Sequence, residues 1–213
     1  LFIKTLHRVT RRLRWPVPQP ADPHHFPMQV VARVGLYHEG LEKPRGFPFD
    51  AAQDFADWLL SDEGQQAIER VLTTLKFFAD APQGAFEDDD TGYHGFFYHF
   101  LDMKTGHRFQ NSELSTIDTT LLLGGILFAA QWFDGDHPDE ARIRALAEQI
   151  YAAVEWTAFT PNDPVVTMGW RPDSGFIPSD WNRYNESLLL YVLALGSPTH
   201  ALPPETWDRW TSA

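Results

Sequence analysis

The sequence predicts an all-α protein built as an α/α-barrel, with an inner and an outer ring of helices and short β-hairpin inserts between them. Two observations point there. Helical segments alternate between a kind with one apolar stripe and a kind apolar on nearly every side, as outer and inner helices require. Strand-like segments occur only as short pairs around turns, in the long loops that precede each apolar helix.

Composition narrows the class. The chain has 213 residues, 43% hydrophobic and 14% aromatic, which is too rich in apolar groups for disorder. Its net charge of −12 disfavours a phosphate-backbone partner, which needs neutralising Lys and Arg. With no cysteine, disulfides, thiolate metal sites and cysteine nucleophiles are excluded and the compartment stays open. The first residue is Leu1, so a processed or truncated beginning stays open, and Lys4, Arg8 and Arg11 break any signal-peptide apolar run. Membrane insertion is not expected: the apolar run after Asp118 carries Gly124 and Gly125 and is closed by Asp134 and Asp136.

Taken in order, residues 1–50 read as a proline-rich lead-in (Pro16, Pro18, Pro20, Pro23, Pro27, Pro44 and Pro48), and residues 51–213 as the folded domain. Within the lead-in, Arg8, Arg11, Arg12 and Arg14 form a basic cluster, read as solvated. Asp50 and Gln53 begin a helix with Phe55, Leu59 and Leu60, and Ser61 restarts it. Ile68, Val71, Leu72, Leu75 and Phe78 then mark a helix with one wet face. Gly95 to Asp102, a Lys104-Thr105-Gly106 turn and His107 to Phe109 read as a hairpin. From Asn111 to Asp134 a polar first turn leads into a central helix with no polar stripe before Gln131. His137 to about Thr157 is a helix with a wet stripe of Asp139, Glu140, Arg142, Arg144 and Glu148. Val165 to Trp170, the Pro172–Gly175 turn and Phe176-Ile177 suggest a second hairpin. Ser187 to Leu195 is the second apolar helix, stopped by Gly196 and Pro198, and Pro203 to Trp210 starts another amphipathic piece. Two apolar helices exceed what three neighbours can cover, so the chain is expected to be incomplete or self-associating.

Each apolar helix has a carboxylate at its mouth, Asp118 in the first and Glu186 in the second. In a ring of like-oriented inner helices these ends gather at one end of the barrel, and a carboxylate pair there is what acid/base cleavage of a glycosidic bond uses. Acidic residues are also favoured in first turns by orphan amides and the helix dipole, so the purely structural reading stays open. Tyr93, Phe96, Phe97, Tyr98, Trp170 and Trp181 lie in the feeding loops, interleaved with His94, His99, Arg171, Asp173 and Asn185. Rings beside hydrogen-bonding groups suit a sugar, and they suit core packing as well. Glu87 to Asp90 has the oxygens for calcium but lacks an EF-hand's alternate spacing and distal Glu, and the histidines show no zinc spacing. No metal and no cofactor is expected. Nucleotide-binding and serine-hydrolase motifs are missing.

Three blocks, TGYHGFFYHFLDMKTGHRF, ELSTIDTTLLLGGILFAAQWF and MGWRPDSGFIPSDWNRYNESLLLYVLALGSPTH, resemble the glycoamylase-like domain. Its characterised members include the endo-β-1,2-glucanases of glycoside hydrolase family 144. The resemblance runs from about Thr91 to His200. It implies an (α/α)6 toroid, of which this chain would supply the N-terminal half, and inverting hydrolysis of a glucan. It also implies that the essential glutamate of a Tyr-Asn-Glu block falls on Glu186, after Tyr184 and Asn185. A second block, Asp-x-x-Glu-Thr in those glucanases, reads Ser115-Thr116-Ile117-Asp118-Thr119 here. Two carboxylates have changed, which loosens the inference to a β-1,2 linkage; Glu113 is a replacement in a different helical register.

The expectation is thus a glycoside hydrolase acting on a glucan or oligosaccharide, with Glu186 and Asp118 catalytic. Trp170, Arg171, Trp181, Tyr184, Asn185, Tyr98, Ser115 and Glu113 would bind substrate. A glucan is the expected partner; nucleic acid and membrane are not, and the oligomeric state is undetermined. Two rivals stay open: a transglycosylase or phosphorylase on the same fold, and a non-catalytic carbohydrate-binding remnant.

Overall fold

The computed structural model describes residues 60–85, 89–162 and 164–212. The expected lead-in, the basic cluster and the helix from Asp50 lie outside these residues, as do Glu87 and Asp88 of the acidic turn. By contact, described residues from Arg70 onward form one compact unit, and residues 60–69 belong to another.

Helix α1, Asp62–Ala79, starts where Ser61 predicts. The Ser61 Oγ accepts from the Gly64 N–H at 3.2 Å, and Asp62 and Glu63 in the first turn oppose Lys76 in the last, matching the helix dipole. At its far end Phe78 meets Phe97 edge-on, with centroids 4.9 Å apart.

Five short strands form one antiparallel sheet in chain order: β1 Gly92–Tyr93, β2 Phe96–Tyr98, β3 Leu114–Ser115, β4 Gly169–Arg171 and β5 Gly175–Phe176. The expected insert at 95–109 is therefore only partly a hairpin. Its apolar half, β2, pairs with β1 and β3, at Phe97↔Ser115 and Tyr98↔Leu114. The tip closes through the Leu101↔Arg108 bridge, where Asp102 accepts from the Lys104 and Thr105 amides. The β4–β5 hairpin forms at the expected turn, with Gly175 at φ 79 where a side chain would be strained. Joining both pieces is β3, which pairs with β4 at Leu114↔Trp170 and Ser115↔Gly169. Such a pairing between distant segments leaves no periodicity in the sequence.

Helix α2, Thr116–Trp132, leaves directly from β3 and packs against α3, Pro138–Ala152, and α4, Leu188–Gly196. Leu123, Ile126, Leu127 and Ala130 are buried, as are Ile143, Ala147, Ile150 and Tyr151 of α3 and Leu190, Leu193 and Ala194 of α4. Each buried Leu or Ile contributes roughly 1.5–3 kcal/mol. A short 3-10 turn, Trp156–Phe159, follows α3, and α5, Glu205–Ser212, ends the described chain. No helix among the described residues is long and apolar enough to cross a membrane.

Helix α2 is not covered on all sides: Leu121 and Phe128 are each 60% exposed, so an apolar stripe on one side of α2 lies open. Several expectations about α3 need correcting. Helix α3 stops at Ala152, because the chain turns there and the Glu155 N–H donates to the His94 carbonyl of the β1–β2 turn. Glu140 does not belong to the wet stripe. It is buried and folds back so that its Oε1 accepts from the Gly135 N–H at 3.4 Å, satisfying the turn between α2 and α3. Arg144 likewise reaches back, donating from Nη1 to the Phe133 carbonyl at the end of α2.

Candidate active site

The sheet register assembles the site. One step beyond the Tyr98↔Leu114↔Trp170 row, antiparallel pairing sets His99, Glu113 and Arg171 side by side on three strands. The His99 N–H donates to the Glu113 carbonyl at 2.8 Å, which fixes that register. Alternation keeps Ser115 on the same face as Glu113. The strand becomes a helix at once, so Asp118, three residues on, folds back toward the same face.

The contacts form a continuous chain. Arg171 Nη2 lies 3.3 Å from Glu113 Oε2, and His99 Nδ1 lies 2.8 Å from Glu113 Oε1. On the other side of the ring, His99 Nε2 lies 3.5 Å from Asp118 Oδ2. Ser115 donates from Oγ to that same oxygen at 2.5 Å and accepts from the Asp118 N–H at 3.2 Å, so the pair also caps α2. Burial pushes the Glu113 carboxyl up, but its own backbone amide, His99 and Arg171 outweigh that and hold it below the usual carboxylate range. The side chains of His99 and Asp118 are 35% and 42% exposed, so the cluster is open to a ligand.

Around it the helix mouth is tied down by threonines. Thr116 Oγ1 donates to the Thr167 carbonyl at 2.8 Å and accepts from the Trp181 indole N–H at 3.0 Å. Thr119 Oγ1 accepts from the Phe97 N–H at 2.9 Å and donates to the Ser115 carbonyl. Gly169 is required beside Glu113: a Cβ there would fall 2.4 Å from the Leu114 carbonyl oxygen.

Of the residues singled out from sequence, Glu113, Ser115, Asp118 and Arg171 come together in this cluster. Trp170 lies on the opposite face of β4, its ring 5.1 Å from Tyr93. Trp181 and Tyr98 are buried, Trp181 spending its indole N–H on Thr116 and Tyr98 lying under the Arg108 guanidinium at 4.9 Å. Tyr184, Asn185 and Glu186 sit in the exposed segment leading into α4. There Asn185 Oδ1 accepts from both the N–H and the hydroxyl of Ser187, and Tyr184 lies 5.3 Å from the Trp210 ring. Among the described residues nothing bonds the Glu186 carboxylate. In the sequence His99 stands out only as one polar group among the loop rings. Its signal was strand alternation opposite Glu113, legible only once β2 and β3 are known to pair.

The family model named glycoamylase, described as putative glucoamylase, matches residues 178–213. A curated exo β-1,2-glucooligosaccharide sophorohydrolase (non-reducing end) of Parabacteroides distasonis is 24% identical over 157 residues, 70% of this chain and 20% of that protein. The resemblance is to glycoamylase-type proteins and β-1,2-glucanases. The crystal structure of a putative glucoamylase from Bacteroides uniformis superposes with a TM-score of 0.61 at 25% identity, covering 75% of this chain and 39% of that one. An endo-β-1,2-glucanase from Chitinophaga pinensis, solved with sophorotriose and glucose, gives a TM-score of 0.59 at 22% identity, covering 75% and 38%. The arrangement of helices and small sheet described here is thus shared with part of each of these two solved structures. The chain spans about a fifth of the curated relative and under two fifths of these two solved chains.

Proposed function

We propose that this chain supplies part of a glycoside hydrolase that cleaves a glucan, with β-1,2-glucan the first substrate to test. The observation that carries the reading is the open row of Asp118, His99, Glu113 and Arg171 at the mouth of an apolar helix. It stands in a fold shared with enzymes named as β-1,2-glucan hydrolases. Glu186 is assigned as the general acid and Asp118 as the carboxylate that positions sugar or water. Glu113, Ser115, Arg171, Trp170, Trp181, Tyr184, Asn185 and Tyr98 are assigned to binding the substrate or holding the groups that do.

What supports sugar binding here is that the cluster combines two carboxylates, Glu113 and Asp118, with a guanidinium and an imidazole on one partly open face. Such groups hydrogen-bond sugar hydroxyls in several directions at once. An inverting pair of carboxyls stands about 6.5–9.5 Å apart with a water between them. In the same reading residues 51–213 form the N-terminal half of an (α/α)6 toroid, and the open stripe of α2 faces the helices of the other half.

The test is reducing-sugar release by the full-length protein from β-1,2-, β-1,3-, β-1,4- and α-glucans, beside its Glu186→Gln variant. Release from β-1,2-glucan, abolished in the variant, is expected. Release that the variant retains would remove Glu186 from the mechanism. Glucan binding without release in either protein would replace hydrolysis with a binding role.

A further inference from the structure

We propose that His99 is a positioning residue of this site: its ring stands between Glu113 and Asp118 and sets how both carboxylates are presented to a bound sugar. This rests on the glycosidase reading given above and adds to it a residue that sequence comparison of the carboxylates would pass over.

Three features fix the ring. Its backbone is locked to Glu113 by the cross-strand hydrogen bond, so Cα99 and Cα113 cannot drift apart without unpairing β2 from β3. Its plane is set by Phe100, whose ring stacks on it at 4.1 Å and 15°. Its two nitrogens then face different carboxylates, Nδ1 hydrogen-bonded to Glu113 Oε1 at 2.8 Å and Nε2 within ion-pair distance of Asp118 Oδ2 at 3.5 Å. A single rigid five-membered ring therefore spaces the two carboxylates, as no flexible side chain could.

The charged groups facing the ring are Glu113, just before β3, Asp118 from α2 and, through Glu113, Arg171 from β4. Without His99, Glu113 keeps its own backbone amide and Arg171, and no group is left to hold its carboxyl in line with Asp118. Asp118 keeps the Ser115 hydroxyl and its place in the first turn, so the helix cap survives. The loss is therefore one of orientation more than of fold. A partly exposed ion pair contributes roughly 0–1 kcal/mol to stability, whereas misplacing a reacting group by about 1 Å costs roughly 100-fold in rate.

Two amide variants separate the two contacts. In His99→Asn the amide nitrogen sits where Nδ1 was and reaches Glu113; in His99→Gln it sits near Nε2 and reaches Asp118. In the full-length protein acting on the glucan it hydrolyses, His99→Ala is expected to lower kcat by roughly 100-fold, with little change in KM and a melting temperature within a few degrees of wild type. Each amide variant is expected to recover part of that loss. Wild-type kcat in His99→Ala, or amide variants no better than alanine, would overturn the proposal.

Carboxyl carbon NMR gives a readout that needs no turnover. In His99→Ala the Glu113 carboxyl is expected to titrate at higher pH than in the wild type, and in His99→Asn to stay low. A Glu113 titration unchanged by His99→Ala would overturn the proposal even in an active enzyme. Should no glucan be hydrolysed at all, the hydrolase reading fails, and the NMR result alone decides whether His99 governs the carboxylates.

Discussion

Glu113 and Ser115 each do two things, and their variants should separate them. Glu113 is a carboxylate whose folded form titrates below its ordinary value of 4.5 because its backbone amide, His99 and Arg171 outweigh burial. A carboxyl depressed on folding adds stability above the unfolded value, and that stability is lost as pH falls through the folded value. The acid side of the stability profile should therefore flatten in Glu113→Gln. Melting temperatures taken at neutral pH and down through the carboxylate range should converge for the two proteins at the acid end. Ser115 caps α2 and holds Asp118 by the same oxygen. Ser115→Ala should cost about 0.5–2 kcal/mol in urea unfolding, the range for a lost N-cap, and a loss well under that would mean the cap is satisfied another way. Both carboxylates were visible in the sequence as first-turn and near-turn acids. His99 was not, because its importance comes from the strand it pairs with.

At the level of elements, the site depends on two joints. The first is the β3–β4 pairing, where Gly169 lies against the Leu114 carbonyl and Glu113 Cγ is 3.5 Å from where a Cβ would stand. Gly169→Ala should force the strands apart at a cost of roughly 1–3 kcal/mol, typical of overpacking. It should also release Arg171 from Glu113, so the Glu113 carboxyl should titrate higher by NMR. The second joint ties α4 to the loop that carries Trp181 to Glu186. Tyr191 donates to the Trp181 carbonyl at 2.8 Å and accepts from the Val166 N–H at 3.1 Å, and burial pushes its hydroxyl up to about 12. Tyr191→Phe leaves both backbone groups unpaired and should cost about 1–3 kcal/mol, with faster amide exchange at Val166 as the local sign. The helices themselves were legible: the Ser61 cap, the Pro138 start, and the Gly196 and Pro198 stop all lie within a residue or two of the observed ends. The joints were not, since a single tyrosine hydroxyl or a glycine between strands has no period to read.

For the whole molecule, the open stripe of α2 is the feature that separates a free-standing domain from part of a larger one. Leu121 and Phe128 are each 60% exposed on a helix whose run from Leu121 to Ala130 has no polar side chain. In the toroid reading, Phe128→Ser should be within about 0.5 kcal/mol of wild type in the 213-residue chain, where the ring is in water. In a chain extended by the other half of such a toroid it should cost about 1.5–3 kcal/mol, where the ring would be covered. Equal effects in both, read by chemical denaturation, would place the stripe outside any helix–helix contact. The sequence by itself determined the helices, their apolar and wet characters, the turns, and the carboxylates at the helix mouths, because each is set by neighbours within a few positions along the chain. Tertiary structure decided the rest. It paired β3 with β4, set His99 between Glu113 and Asp118, buried Trp181 and Glu140, and left one side of α2 bare, because each of these depends on which distant segment arrives alongside.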